Sequence, residues 1–213
     1  MATSKKLLTS HFFSFDGPKG VGKSTLIQRI QVLFEKQGYP VRILTEKELD
    51  PYREETRRIL QDFTKNPSIE KEQLVLQQLT KGRIWISKNV LPTVHPVITL
   101  MDRWYPSDAV FRCFIEGEDC VHYNLSKGVV RPDGVVALYC DPEISFSRAH
   151  QRKEGLHSDV IKNSREHELS TSRFVETAKK MNWILIDSLP PQDDVLQSVV
   201  RILYESISKK ECF

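Results

Sequence analysis

Gly17-Pro18-Lys19-Gly20-Val21-Gly22-Lys23-Ser24 stands between the apolar run His11-Phe12-Phe13-Ser14-Phe15-Asp16 and a stretch in which Leu26, Ile27, Ile30, Leu33 and Phe34 recur at helical spacing. The octet fits G-x-x-x-x-G-K-[ST], and its surroundings read as strand, glycine loop and amphipathic helix. Each residue type has a chemical reason. Glycines let backbone N–H groups turn inward and approach phosphate oxygens without a Cβ in the way. A helix starting near Lys23 adds the positive end of its dipole. Lys23 is then placed to reach the β- and γ-phosphates of ATP, and the Ser24 hydroxyl to hold Mg²⁺. Gly17 through Ser24, with Thr25, form the candidate ATP-binding segment.

Outward from this loop, short apolar runs alternate with helical patterns, as in a parallel sheet covered by helices. Gly38 and Pro40 stop the first helix, and Val41-Arg42-Ile43-Leu44 reads as a second strand. Helical stretches follow over roughly 51–63 and 69–90. Val97 to Met101, Val135 to Tyr139 and Trp183 to Ile186 are the remaining strands; a further helix follows the last one, with Val195, Leu196, Val199, Val200, Leu203 and Ile207 on one face. The expected fold is a single α/β domain over 1–213: a five-stranded parallel sheet flanked by helices, of the P-loop NTP hydrolase type. In such sheets ligands bind at the carboxyl ends of the strands. Segments beginning at Asp16, Asp102 and Asp141 fall at those ends.

Composition narrows the function. Of 213 residues, 31 are Lys or Arg and 28 are Asp or Glu, so the formal net charge is only +3. That excess is too small to argue for a nucleic-acid partner. Cys113, Cys120, Cys140 and Cys212 form no CxxC pair and lie at no zinc spacing with histidine. They read as free thiols of a reducing compartment, which makes a cytoplasmic location the expectation. The segment Lys5-Lys6-Leu7-Leu8 reads as a disordered tip rather than a secretory signal, and no run is long enough to span a membrane.

A glycine loop alone does not identify the reaction, because GTPases, ATPases, motors and kinases share it. The discriminating segment is Asp102-Arg103-Trp104-Tyr105-Pro106-Ser107. Asp102 ends a buried strand, where a carboxylate can hold Mg²⁺ beside Ser24. Arg103 then points at transferring or accepting phosphate.

With these residues in view, the chain resembles the thymidylate kinase family over roughly residues 11–205. Phe15-Asp16-Gly17 and Gly22-Lys23-Ser24-Thr25 stand where the family has F-E-G and G-K-S-T. Asp102-Arg103 with Ser107 and Phe111 follows the family's D-R-[YH]-x-x-S…[YF] spacing. Pro132-Asp133 precedes the fourth strand, and Asp141-Pro142-Glu143 with Arg148 resembles the start of the family's lid, expected here over roughly 142–165. Arg57-Arg58-Ile59-Leu60 is similar to its acceptor-side helix, and Arg83 stands where the family has a base- or phosphate-contacting arginine. The resemblance implies an ATP-dependent nucleoside monophosphate kinase, homodimeric as the family usually is. Arg57 and Arg103 are expected to hold the acceptor phosphate, with Asp16, Leu79, Arg83, Phe111 and Arg112 around the rest of the acceptor. No arginine lies inside the glycine loop, so the catalytic cations beside Lys23 and Arg103 fall to Arg148 and Arg152, with Lys153.

The departures gather on the acceptor side. Lys19 stands where the family has an acidic loop residue. Leu79 replaces the aromatic ring that stacks on thymine, and Arg112 replaces a Gln or Thr that helps read the base. Leucine cannot stack as phenylalanine does, so the acceptor is expected to be either dTMP or an unusual or modified nucleotide. One alternative is a deoxynucleoside kinase with Asp16 as general base. Another is a nucleotide-dependent regulatory P-loop protein, disfavoured by the lack of an N-K-x-D guanine motif. Trp104 is expected at the pocket or in the core, His150, His157 and His167 as solvated side chains of the lid region, and 117–128 as a surface loop.

Overall fold

The five apolar runs form five strands: β1 (His11–Asp16), β2 (Val41–Thr45), β3 (Ile98–Asp102), β4 (Gly134–Tyr139) and β5 (Ile184–Asp187). All four pairings are parallel, in the order β2-β3-β1-β4-β5. The computed structural model describes residues 7–151 and 160–211. The helices in chain order are α1 (Lys23–Lys36), α2 (Glu46–Leu49), α3 (Arg53–Lys65), α4 (Ile69–Asn89), α5 (Asp108–Phe111), α6 (Gly117–Ser126), α7 (Pro142–His150), α8 (Ser164–Lys180) and α9 (Gln192–Glu211).

The strands are mostly apolar on both faces because both sheet faces are covered. Phe13 and Phe15 of β1 and Val136 and Leu138 of β4 point to one side. There they pack with Leu26, Ile27, Ile30 and Phe34 of α1 and Val195 to Ile207 of α9. Ala137, one residue out of phase on β4, faces the other side and packs with Phe174 and Ala178 of α8. A third cluster unites Ile86, Met101, Trp104, Tyr105 and Val121 under Phe12. The strand order reverses at β1, whose neighbours are β3 and β4, so a crevice opens at its carboxyl end. Asp16 and Asp102 end the two paired strands there.

Two expectations change, and a third, left open between pocket and core, is decided. The segment 117–128, expected as a surface loop, holds α6, with Cys120, Val121 and Asn124 buried. Gly117 is required by close packing: a Cβ there would sit 2.2 Å from Thr177 Oγ1. His167, expected in solvent, is fully buried. Trp104 belongs to the core, and its indole N–H donates to the Val130 carbonyl at 3.0 Å. Among the described residues no helix is long and apolar enough to cross a membrane.

Candidate active site

The glycine loop is threaded between β4 and the first turn of α7. A Cβ on Gly17 would lie 2.1 Å from the Leu138 carbonyl oxygen, and one on Gly20 would lie 1.9 Å from that of Ser145. Both residues also have positive φ, +143° and +83°, so glycine is demanded twice over at each position. The Lys23 ammonium is buried and donates to the carbonyls of Gly17 (2.9 Å) and Pro18 (2.7 Å). It is thus held across its own loop, at the place where phosphate oxygens approach a loop of this kind. The Ser24 hydroxyl donates to Asp102 Oδ2 at 2.9 Å. An alcohol oxygen and a carboxylate oxygen side by side make a hard, oxygen-only pair suited to Mg²⁺ shared with phosphates.

Behind the loop, Ser145 Oγ and His167 Nε2 lie 2.8 Å apart, both buried. Burial, and then the nearby Lys23 charge, lower the His167 pKa. A neutral imidazole therefore braces the start of α7, whose Ser145 carbonyl presses on Gly20.

Asp16 is fully buried, and its Oδ1 accepts from the Trp104 N–H (2.9 Å) and the Ser107 hydroxyl (2.7 Å). Burial raises its pKa, against these hydrogen bonds and the Arg103 charge. Immediately before Trp104, Arg103 adopts φ +70°, a left-handed conformation that costs a non-glycine residue on the order of 1 kcal/mol. The strained turn aims the guanidinium back at the loop: Arg103 Nη1 donates to the Gly17 carbonyl (2.9 Å) and to Ser107 Oγ (3.2 Å), and the guanidinium lies 5.0 Å over the Phe111 ring. Asp16, expected to contact the acceptor, lies beneath the cleft and supports this turn. Its Oδ2 is buried with no hydrogen-bond partner among the described residues, and Asp16 lines no cavity beside the loop, which weighs against its use as a general base.

Two cavities flank the loop. The donor-side cavity, about 300 Å³, is lined by Gly20, Val21, Gly22, Thr25, Arg29 and Arg148, with Ser188 and Gln192 across from them. Arg148 is thus at the donor side; Arg152 and Lys153 lie outside the described residues. The acceptor-side cavity, about 490 Å³, brings together Lys19, Arg57, Leu79, Arg83, Asp102, Arg103, Phe111 and Arg112. These come from the loop, α3, α4, β3 and α5, so the fold gathers the expected acceptor residues other than Asp16 around one space. Arg57 is at the rim, its side chain 62% exposed and paired with Glu54.

Arg83 is not a free cation in this space. It is buried between Glu46 (Nε to Oε1, 2.7 Å) and Asp108 (Nη1 to Oδ2, 2.5 Å), and it also donates to Asn124 Oδ1 at 3.1 Å. Burial alone would lower its pKa, but the two carboxylates together push it above its ordinary value. Burial raises Glu46 to about 7; Arg83 opposes this and Asp108 adds to it. The sequence reading missed Glu46, Asp108 and Asn124, which come together only through the fold. It also missed Glu72, a fully buried carboxylate that accepts the backbone N–H groups of Cys113 (2.6 Å), Phe114 (2.7 Å) and Ile115 (2.8 Å).

Comparison with known proteins bears on this geometry. The family model described as thymidylate kinase matches residues 15–199. A probable thymidylate kinase of Sulfurisphaera tokodaii is 24% identical over 192 residues, covering 90% of this chain and 95% of the relative. A thymidylate kinase of Bacillus pumilus is 22% identical over 218 residues, covering 96% and 100%. One of Symbiobacterium thermophilum is 25% identical over 211 residues, covering 94% and 96%.

Proposed function

This chain belongs to the thymidylate kinase family, and on that premise we propose how its residues divide the work of a nucleoside monophosphate kinase that uses ATP as donor. The triphosphate lies on the backbone amides of Gly17 to Ser24, with Lys23 turning from its loop carbonyls to the phosphate oxygens. The Ser24 hydroxyl and the Asp102 carboxylate hold Mg²⁺. When bound, the ion neutralises charge on the phosphate oxygens. The acceptor monophosphate occupies the larger cavity, its phosphate between Arg103 and Arg57. Arg103 bridges the two spaces, being bonded to Gly17 of the donor loop while lining the acceptor cavity. That bridge is the observation that carries the reading. Such an arrangement accelerates transfer by positioning and by charge neutralisation, with no covalent enzyme intermediate. Arg148, which lines the donor-side cavity, and Arg152, which lies outside the described residues, supply further positive charge. The acceptor is dTMP or an unusual or modified nucleotide.

Transfer from labelled ATP to nucleosides and to nucleoside monophosphates tests the reading. The expected result is label in a diphosphate product, with ATP consumption dependent on a monophosphate. Label in a monophosphate product would favour the nucleoside kinase alternative. Slow ATP hydrolysis indifferent to every acceptor would favour a regulatory protein.

A further inference from the structure

His167 lies in the first turn of α8, after the cap that Asn163 provides, and is fully buried. Its backbone is pinned, because its carbonyl accepts from the Ser170 and Thr171 hydroxyls, each at 2.8 Å. Among the described residues its ring bonds to the Ser145 hydroxyl, while Nδ1 is buried with no partner. No tautomer removes that deficit. Where the Ser145 hydroxyl gives its proton to the Asp141 or Pro142 carbonyl (3.2 and 3.1 Å), Nε2–H donates to it and the Nδ1 lone pair is unused. Where it gives its proton to Nε2, a buried Nδ1–H is left without an acceptor. Burial, and then the Lys23 charge, favour the neutral ring, so it offers phosphate no counter-charge. An apolar side chain would fill the same space without an unsatisfied nitrogen. What the imidazole adds is its bond to Ser145.

That bond has consequences for the donor side. Ser145 stands in the first turn of α7, which Asp141 caps. Its carbonyl abuts the glycine loop: a Cβ on Gly20 would lie 1.9 Å from that oxygen and 3.2 Å from Ser145 Cα. Packing that close leaves no slack, so a displacement of Ser145 displaces the loop. One turn further along α7, Arg148 lines the donor-side cavity together with Gly20, Val21 and Gly22. The Ser145–His167 bond therefore fixes two walls of that cavity, one of backbone and one of side chain. Phe146, beside Ser145, packs against the imidazole with 5.6 Å between ring centroids.

Resting on the kinase reading above, we propose that His167 is a positioning residue for the phosphate donor. Through Ser145 it sets where the Gly20 backbone and the Arg148 side chain stand around the ATP phosphates.

The test is calorimetric titration of the whole protein with ATP and Mg²⁺ and, separately, with dTMP, alongside KM for each in the transfer assay. Ser145→Ala removes the hydroxyl with little change of volume. His167→Asn places its amide near the Nδ1 position, short of Ser145, whereas His167→Gln carries it to the Nε2 position. The expected result is a Kd and a KM for ATP raised about fivefold or more in Ser145→Ala and in His167→Asn, the scale of one lost hydrogen bond. Kd for dTMP stays near that of the unaltered protein, and His167→Gln recovers most of the ATP affinity. Because the two residues act through one bond, Ser145→Ala and His167→Asn combined lose no more than the worse of the two alone. A merely structural His167 would weaken ATP and dTMP in step, with His167→Gln no better than His167→Asn, and that result would overturn the proposal. So would ATP affinity unmoved in both single variants, or losses that multiply when they are combined. In each of these cases the kinase reading would stand. ATP binding by the unaltered protein without transfer to any monophosphate would overturn the kinase reading alone, and the ATP titrations would still decide the role of His167.

Discussion

The donor and acceptor halves of the cleft are built from different materials. Around the donor triphosphate the chain uses backbone, with glycines at 17, 20 and 22 of positive φ, a helix start and one lysine. Around the acceptor it uses long side chains drawn from the loop, α3, α4 and α5, cross-linked by buried ion pairs. The difference suits the ligands. A triphosphate is the same in every reaction, and main-chain amides that cannot be mutated away recognise it. An acceptor base varies, and side chains can be exchanged one at a time to follow it. Change in the chain can therefore concentrate on the acceptor side, at Leu79 and Arg112, while Lys19 is the one loop position that also lines the acceptor-side cavity.

That contrast can be broken by experiment, beginning with the largest effect. Lys23→Ala should lower kcat/KM by roughly 10³-fold for every acceptor alike, as expected for a preorganised charge on the transferring group. A loss confined to some acceptors would move Lys23 out of the donor half. Arg83→Met should cost about 3–5 kcal/mol of stability, because it leaves Glu46 and Asp108 buried without their counterion. Urea unfolding measures this, and a change under about 1 kcal/mol would mean the network is incidental.

Arg103→Ala should lower kcat about 10²-fold, and Arg103→Gly by a similar factor. Glycine should be the more stable of the two, since it accepts φ +70° without strain. Equal stability of the two variants would argue that the turn stores no strain.

The smallest effect is a pH dependence. Glu46 is raised to about 7 from an ordinary 4.5. Between those values the folded protein holds a proton that the unfolded chain has released. Stability from this group is therefore fullest below pH 4.5 and declines as pH rises through 7. Glu46→Gln should flatten that part of the pH–stability curve; an unchanged slope would remove Glu46 as its source.

How much of this was legible in the sequence follows the same division. The donor loop lies within eight consecutive residues, and the strands are short, mostly apolar runs, three of which (β1, β3 and β5) end in aspartate, so local pattern suffices. Asp102 beside Ser24 is also readable, because a motif and a strand end imply their meeting. The acceptor half is not local. Glu46, Arg83, Asp108 and Asn124 lie on four elements, and nothing in their spacing announces a shared buried network. Helix α6 escapes for a related reason. Its hold on the core passes through Asn124 and a glycine contact as well as through Cys120 and Val121, so its apolar pattern is weak. His167 sits in a polar stretch, and only the fold shows that Ser145 takes it out of solvent. Asp16 is legible as a site residue by position, but its orientation is set by Trp104 and Ser107, which local pattern does not connect to it.

The central claim is that the two halves form one cleft joined at Lys23 and Arg103. Calorimetry with a bisubstrate analogue, adenosine and the acceptor nucleoside linked through a polyphosphate bridge, tests it most directly. The account predicts one site per chain, with affinity at least a hundredfold greater than for ATP alone and displacement by either substrate. An analogue that binds no more tightly than ATP, or whose acceptor end leaves the monophosphate free to bind as before, would contradict it.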